Sequence, residues 1–523
     1  MKQLQKLPIG IQAFETIREN SYLYVDKTEY IYRMIDQGMF YFISRPRRFG
    51  KSLMVSTLRA LFQGKKELFE GLWIARHGHM KWRQHPVVLI DFNEISHDTP
   101  QILQKDLENT IIKAGQLHNL KIDAPFLKSK FKQLIVELHA KTGMPVVILV
   151  DEYDKPIIDH VGKGQKEIDF AIANREILKN FLGVIKGGDV SPLLRFVFIT
   201  GISRFSRVSI FSELNNLNDI SMNQRFADMF GYTHEELGNC FHQYIESFAG
   251  EIKCDFQTII EQLKRQYNGY RFSKKDIKVY NPFSILKAFD QMDFQNYWFE
   301  TGTPAFLINL LREKNYYLPE IEGMEVDESM FTSFEIDNLK LEAVLFQTGY
   351  ITIKDIKDRF YLLDYPNQEV KNSFLKHLLS SFTHELSGKE GSLFLKLAKY
   401  LQEDDFESFF NTVNTIFASI PYTINSKRDE AYFHTLFYLM VSASGIDAKS
   451  EVLTSRGRID MVIEFSDRIF IMEFKCNQSA AAGIRQIKEK GYADKYRQSH
   501  KKLYLMALNF STEKRNLSEW KIK

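Results

Sequence analysis

Cysteine is almost missing from this sequence. The three present (Cys240, Cys254 and Cys476) are an odd number at no paired spacing. That argues against a disulfide framework and for a reducing compartment. A zinc site on Cys240, His242 and Cys254 would lack a fourth ligand at motif spacing. Long apolar runs are missing too: none approaches the roughly 20 residues that cross a bilayer, so no membrane partner is expected. MKQLQKLPIG at the N-terminus has no apolar signal core, and the cytoplasm is the expected location. There is no internal repeat and no low-complexity linker. Charge of one sign is also lacking, with a net of +3, but it is unevenly spread. Residues 420–523 hold 18 Lys/Arg and 12 Asp/Glu, a balance of +6, which leaves −3 for the rest. A basic C-terminal segment suits a phosphate-backbone binder, although a solvated surface has the same composition.

What the chain does have is size and apolar content. Its 523 residues, 44% hydrophobic and 14% aromatic, are too many for one core and predict two to four well-filled domains. Four β-rich apolar runs, MFYFIS (39–44), PVVLIDF (86–92), PVVILVDE (145–152) and RFVFITG (195–201), read as strands buried on both faces of a parallel sheet. Helical stretches such as 52–63 and 124–140 supply the crossovers. Residues 226–300 turn mostly helical. In the stretch 301–419, a helix at LEAVLFQTGYITI, a hairpin through RFYLLDYPN and a helix at EVKNSFLKHLLSSF suggest a winged-helix-like connector. From 420 the expected order is helix (429–443), strand, strand, helix (479–498) and strand (502–510).

RPRRFGKS (45–52) stands between the first strand and the first helix, where a phosphate-binding loop belongs. Lys51 would reach the β- and γ-phosphates, Ser52 would ligate magnesium, and Gly50 would let the backbone approach closely. The general pattern wants glycine where this chain has Arg45, followed by Pro46, Arg47, Arg48 and Phe49. These loop residues are expected to contact nucleotide. VVILVDE ends in adjacent acids: Asp151 would hold magnesium and Glu152 would polarise the attacking water. The plainer alternative makes Lys51 a surface residue and the two acids a strand cap. After RFVFITG, Thr200 or Ser203 could sense the γ-phosphate. Arg204 or Arg207 could neutralise transition-state charge, and Arg204 could equally form a structural ion pair. Asp91 and Glu94 read as structural residues at a strand end.

In the C-terminal segment, GRIDMVIEF (457–465) precedes IFIMEFK (469–475). Residues two apart share a strand face, so Glu473 and Lys475 point the same way, at a cost that calls for a purpose. An even-length turn brings Asp460 beside Glu473. The two carboxylates would then bind magnesium, or manganese in its place, and Lys475 would orient water and stabilise the pentavalent phosphate. A plain cross-strand ion pair of Asp460 and Lys475 is the alternative.

This D-x(12)-E-x-K arrangement resembles the PD-(D/E)XK nuclease superfamily. The resemblance implies a further acid at Glu430 on the preceding helix, and Gln486 with Tyr492 on the following one. Solvent exposure of Glu430, and packing of Gln486 and Tyr492, are the alternatives. RPRRFGKSL, LVDEYDKPI, ITGISRFS, YNPFS, YWFETGTP, LFQTGYITI and YPNQEV extend the resemblance from about residue 5 to 510. As a whole, the chain looks like the bacterial AAA-ATPase-like family fused to a C-terminal PD-(D/E)XK nuclease, in which Arg45 is part of the usual loop.

The expected fold class is α/β: a P-loop parallel sheet with helices on both faces (1–225), a helical lid (226–300), a helical and winged-helix-like connector (301–419) and a PD-(D/E)XK-like domain (420–523). The expected function is an ATP- and magnesium-dependent nuclease acting on nucleic acid, DNA first, compatible with a homo-oligomer. The alternative is a regulatory or signalling ATPase whose nuclease-like domain binds without cutting.

Overall fold

The computed structural model of the protein describes residues 4–204, 216–301, 307, 311, 317–331, 340–382, 390–418, 420 and 429–523. The chain forms two compact units. One comprises Met1–Leu310, Val326–Leu362 and Pro366–Glu369, the other Leu311–Glu325, Leu363–Tyr365 and Val370–Lys523.

The first unit is built on a five-stranded parallel sheet: β1 (Phe40–Ser44), β2 (Val87–Asp91), β3 (Val146–Asp151), β4 (Leu194–Gly201) and β5 (Asn218–Asp219), in the order β2-β3-β4-β1-β5. Every residue of β3 is buried, as its continuous apolar run requires. The helices Pro100–Gln116, Leu127–Thr142 and Gln165–Leu182 bury Leu107, Phe131 and Phe181 in one core with Ile90 and Ile148. The four expected strands are present. The two-residue β5 was not expected, since NLND carries no strand pattern.

β1 runs through the loop into the helix Lys51–Phe62, whose N-cap Gly50 has φ 88°. That left-handed conformation comes without steric cost to glycine. Because β4 lies between β1 and β3, the carboxyl ends of β1 and β3 flank a crevice, where open α/β sheets place ligands. The helices His234–Cys240, His242–Ile252, Phe256–Tyr267 and Pro282–Gln291 follow, and pack around Phe241, Phe248, Leu263 and Phe289. Next in the chain come a three-residue strand β6 (Met324–Val326), the helix Leu341–Thr348, strands β7 (Thr352–Lys357) and β8 (Phe360–Asp364), and the helix Gln368–Phe382. The expected helix, hairpin and helix occur in that order.

The second unit holds a mixed sheet of β9 (Ala448–Thr454), β10 (Gly457–Glu464), β11 (Arg468–Cys476), β12 (Lys502–Ser511) and β13 (Asn516–Ile522), in the order β13-β12-β11-β10-β9. Only β11 and β12 run parallel. The helix Glu430–Ala443 covers one face through Phe433 and Phe437 against Phe510 and Phe474. The helix Ala480–Glu489 covers the other, with Gly483 over Ala507 and Glu473.

Two expectations need correction here. β9 and β13 were missed because AKSEVLT and NLSEWKI mix polar and apolar residues at sheet edges. The helix expected over 479–498 stops at Glu489, since Gly491 takes φ 60° and a 3₁₀ turn follows over Tyr492–Ser499. The helix Phe406–Ala418 also belongs to the second unit, where it stacks Phe410 on Trp520 and sets Phe417 against Phe433. Among the described residues, no helix is long and apolar enough to cross a membrane.

Candidate phosphate-binding cleft and candidate metal site

The first unit carries a cleft of 530 Å³ whose lining includes Arg47, Arg48, Gly50, Lys51, Ser52 and Glu152. Lys51 is 4% exposed, which removes the surface alternative. Its Nζ donates to the Pro46 carbonyl (3.3 Å) and pairs with Glu152 Oε1 at 3.2 Å. Arg48 (φ 70°) and Glu152 (φ 51°) hold left-handed backbone. Such conformations cost non-glycine residues about 1–3 kcal/mol each and cluster where function demands them.

Asp151 is buried beside the Ser52 hydroxyl, which hydrogen-bonds its carboxylate. Burial raises this carboxyl to about 6, and the Ser52 bond opposes the shift. An oxygen-donor pair of this kind fits magnesium, which keeps several waters and phosphate oxygens in its shell.

Other loop residues lie elsewhere than expected. Arg45 turns away from the cleft: its Nη1 donates to the carbonyls of Ser44 and Ser221 at 2.8 Å, and its guanidinium lies 4.3 Å from the Phe272 ring centre. Pro46 lines the same small cavity as Arg45. The Phe49 ring is buried edge-on against Tyr270 and Phe272. Arg204 pairs with Asp219 at 2.8 Å and donates to the Phe331 carbonyl. Arg204 thus forms an ion pair here and does not line the cleft. Ser203 Oγ donates to the buried Asp154 at 2.6 Å. Thr200 Oγ1 is buried without a partner, and Arg207 lies outside the described residues.

Asp91 and Glu94, read as purely structural, line the cleft together with Asp154. Asp91 stands in register with Asp151, a neighbour relation that only strand pairing reveals. The cleft lining also has an apolar part, with Pro8, Ile11, Tyr232, Phe283 and Leu286. The Arg48 guanidinium lies 4.4 Å from the Phe283 ring centre.

In the second unit, β10 and β11 pair Met461 with Met472 and Val462 with Ile471. One step further along this register, Asp460 comes opposite Glu473, so both carboxylates and Lys475 share a face. Asp460 Oδ2 accepts from the Phe474 N–H at 2.7 Å. Lys475 Nζ donates to Glu473 Oε1 and to the Phe474 carbonyl, both at 2.8 Å. Lys475 thus pairs with Glu473 rather than Asp460. Glu473 is 1% exposed and its Oε2 has no hydrogen-bond partner.

Burial, then the Glu473 charge, push the Asp460 carboxyl up to about 8. Burial also raises Glu473, with Lys475 opposing. For Lys475, burial favours the neutral amine, but the Glu473 carboxylate outweighs it and the pKa is raised. Two buried carboxylates, one with an orphaned oxygen, fit a hard cation. Among the described residues, no group of three or more His, Cys, Asp or Glu is arranged to hold a metal.

Glu430 is exposed in the first turn of its helix, and its charge acts on Asp460, Glu473 and Lys475. Gln486 is half-buried, about one turn beyond Gly483 on the helix over Glu473, with no hydrogen bond to either carboxylate. Tyr492 is buried in the cluster with Ile484 and Ile487, the packing alternative.

A network beside these acids has no local sequence pattern to announce it. The Tyr317 hydroxyl donates to Glu451 and also hydrogen-bonds His434 Nδ1, while Arg458 pairs with Glu451. Burial lowers His434 to about 3. Its one visible signal is position, four residues after Glu430 on the same helix.

Residues 8–211 match the family described as a predicted AAA-ATPase, and residues 428–520 match the PD-(D/E)XK nuclease superfamily. A protein of Azotobacter chroococcum mcd 1, named "Uncharacterized protein in vnfD 5'region", is 37% identical over 528 residues, covering 98% of each chain. A solved structure titled "Structure of Drosophila ORC bound to DNA" aligns over 89% of this chain and 93% of its own, at 11% identity and TM-score 0.27. That likeness is too slight to bear on fold or function. With both domain matches in this order and a relative alike from end to end, the chain belongs to the predicted AAA-ATPase family that carries a C-terminal PD-(D/E)XK nuclease superfamily domain.

Proposed function

We propose that the protein is an ATP- and magnesium-dependent nuclease, acting on DNA, in which ATP turnover in the first unit gates phosphodiester cleavage in the second. The observation that carries this reading is the Asp460–Glu473–Lys475 face, on one chain with a basic-to-apolar nucleotide-sized cleft. In the cleft, Lys51 and the loop N–H groups receive the β- and γ-phosphates, with Arg47 and Arg48 alongside. Ser52 and Asp151 hold magnesium, and Glu152, released from Lys51, orients the attacking water. The base would lie against Ile11, Tyr232 and Phe283.

In the second unit Asp460 and Glu473 hold the ion, magnesium or manganese, and Glu430 adds negative potential at its edge. A bound divalent ion supplies Lewis acidity towards the scissile phosphate. Lys475 orients the water and offsets charge on the phosphorane, and Gln486, on the helix over Glu473, is a further candidate catalytic residue. The proposed domain limits remain 1–225, 226–300 and 301–419, with the cutting domain at 420–523 drawing support from earlier segments of its unit. A cytoplasmic location suits the free cysteines.

The test is to incubate the full chain with plasmid, linear and single-stranded DNA and with RNA, with magnesium or manganese, with and without ATP. Cleavage that needs metal and ATP and is lost in Lys475→Ala supports the reading. Nucleic-acid binding without cleavage under all these conditions would overturn it in favour of a regulatory ATPase.

A further inference from the structure

One stretch of the second unit interrupts the first in chain order. Leu311–Glu325 belongs to the second unit, yet the chain enters it from Met1–Leu310 and leaves it into Val326–Leu362, both of the first. Covalent bonds therefore tie this stretch to the first unit at both ends.

Within the second unit the stretch is seated at two points. Its short turn Leu318–Ile321 lies against β9 and the helix Glu430–Ala443, with Leu318 and Ile321 buried. His434 and Tyr438, four residues apart on that helix and so on one face, both hydrogen-bond it: His434 Nδ1 meets the Tyr317 hydroxyl, and the Tyr438 hydroxyl donates to Glu322 at 2.6 Å. Lys371 pairs with Glu322 at 2.7 Å and donates at 3.1 Å to the carbonyl of Ala448, the first residue of β9.

The Tyr317 end reaches the candidate metal site. Its hydroxyl donates to Glu451. β9 and β10 pair Val452 with Ile459 and Ser450 with Met461, so Glu451 stands opposite Asp460. Glu451 also pairs with Arg458, two residues before Asp460 on β10. Its backbone is left-handed, φ 55°, a conformation that non-glycine residues keep only where their surroundings impose it. The Asp460 charge acts on Tyr317, and the Glu451 charge on Glu473. Burial first, then Glu451, hold the phenol far above its ordinary pKa, so it stays a donor.

We propose that Tyr317 is a positioning residue for Asp460, through which nucleotide binding in the first unit is felt at the second site. Its hydroxyl holds Glu451, Glu451 holds Arg458, and the two fix the part of β10 that carries Asp460. A shift of the first unit pulls on either end of the stretch and is delivered at Tyr317. The inference rests on the reading of the cleft as a nucleotide site that gates the Asp460–Glu473–Lys475 face.

The experiment is hydrogen exchange on the full chain, with magnesium, with and without a non-hydrolysable ATP analogue. In the natural protein the analogue should alter exchange both in the loop and helix 45–62 and in β9 and β10, 448–461. In Tyr317→Phe the response at 45–62 should persist and that at 448–461 should be lost. Cleavage and ATP hydrolysis are measured on the same proteins: ATP should no longer change the cleavage rate of the variant, while hydrolysis is unaltered. A merely structural phenol would lower cleavage by the same factor with and without ATP and leave the exchange response in place, and that result would overturn the proposal. If the variant does not fold, the natural protein decides, since a 448–461 segment indifferent to the analogue overturns it as well. A natural protein that shows the coupled exchange but cuts no nucleic acid would sink the nuclease reading and support the coupling.

Discussion

Lys51 and Glu152 meet at 3.2 Å where phosphate is proposed to bind, so each is held by the other until a nucleotide separates them. Lys51→Ala should weaken nucleotide binding by roughly 10- to 150-fold, the equivalent of the 1.5–3 kcal/mol typical of a charged donor. Titration with a fluorescent ATP analogue measures this, and an unchanged affinity would remove Lys51 from the site. Glu152→Gln, which keeps the shape, should still bind ATP and hydrolyse it slowly in a phosphate-release assay. At the second site, Asp460→Asn and Lys475→Ala should abolish cleavage while leaving ATP hydrolysis largely intact, because the two sets of residues lie in separate units. A Lys475→Ala protein that cuts at the natural rate would defeat that assignment.

At the scale of elements, the helix Ala480–Glu489 rests on the sheet through Gly483. A Cβ there would stand 2.8 Å from the Ala507 Cβ and 3.6 Å from Glu473 Cγ. Gly483→Ala should therefore lift the helix and cost about 1–3 kcal/mol, as overpacking does. Ala507→Gly in the same chain should recover part of the loss, and chemical denaturation of the single and double variants measures both. On the other face, Tyr317→Phe would leave His434 and Glu451 without their shared hydroxyl, a loss of about 1–3 kcal/mol, read as a lower unfolding midpoint. An unchanged midpoint would show that the phenol contributes nothing.

Over the whole molecule the surplus positive charge lies in residues 420–523. Within it, Lys488 depresses the pKa of its neighbour Lys523, a repulsion that a phosphate backbone would relieve. Binding of the full chain to labelled DNA should fall steeply between about 50 and 200 mM salt. The double variant Lys488→Glu, Lys523→Glu should bind more weakly with a shallower salt slope. Reversing two first-unit lysines far from the cleft, Lys113 and Lys141, should change neither. Equal losses from both pairs would deny the second unit its role as the nucleic-acid surface.

Much of this was legible in the chain itself. The apolar runs of β1 to β4, the glycine before Lys51 and the acids ending β3 are short-range patterns, fixed by strand and helix periods and by the conformations glycine allows. The parity between Asp460 and Glu473 follows from a period of two and an even turn. What only the tertiary structure decided depends on segments far apart in sequence. Arg45 turned inward because carbonyls of Ser221 and Phe226 reach it, and Arg204 because Asp219 does. Asp91 entered the cleft through the register of β2 with β3, and Tyr317 met His434 across 117 residues. No local period encodes such meetings: where a loop side chain points is set by which distant donors and acceptors the fold brings within 3 Å or so of it.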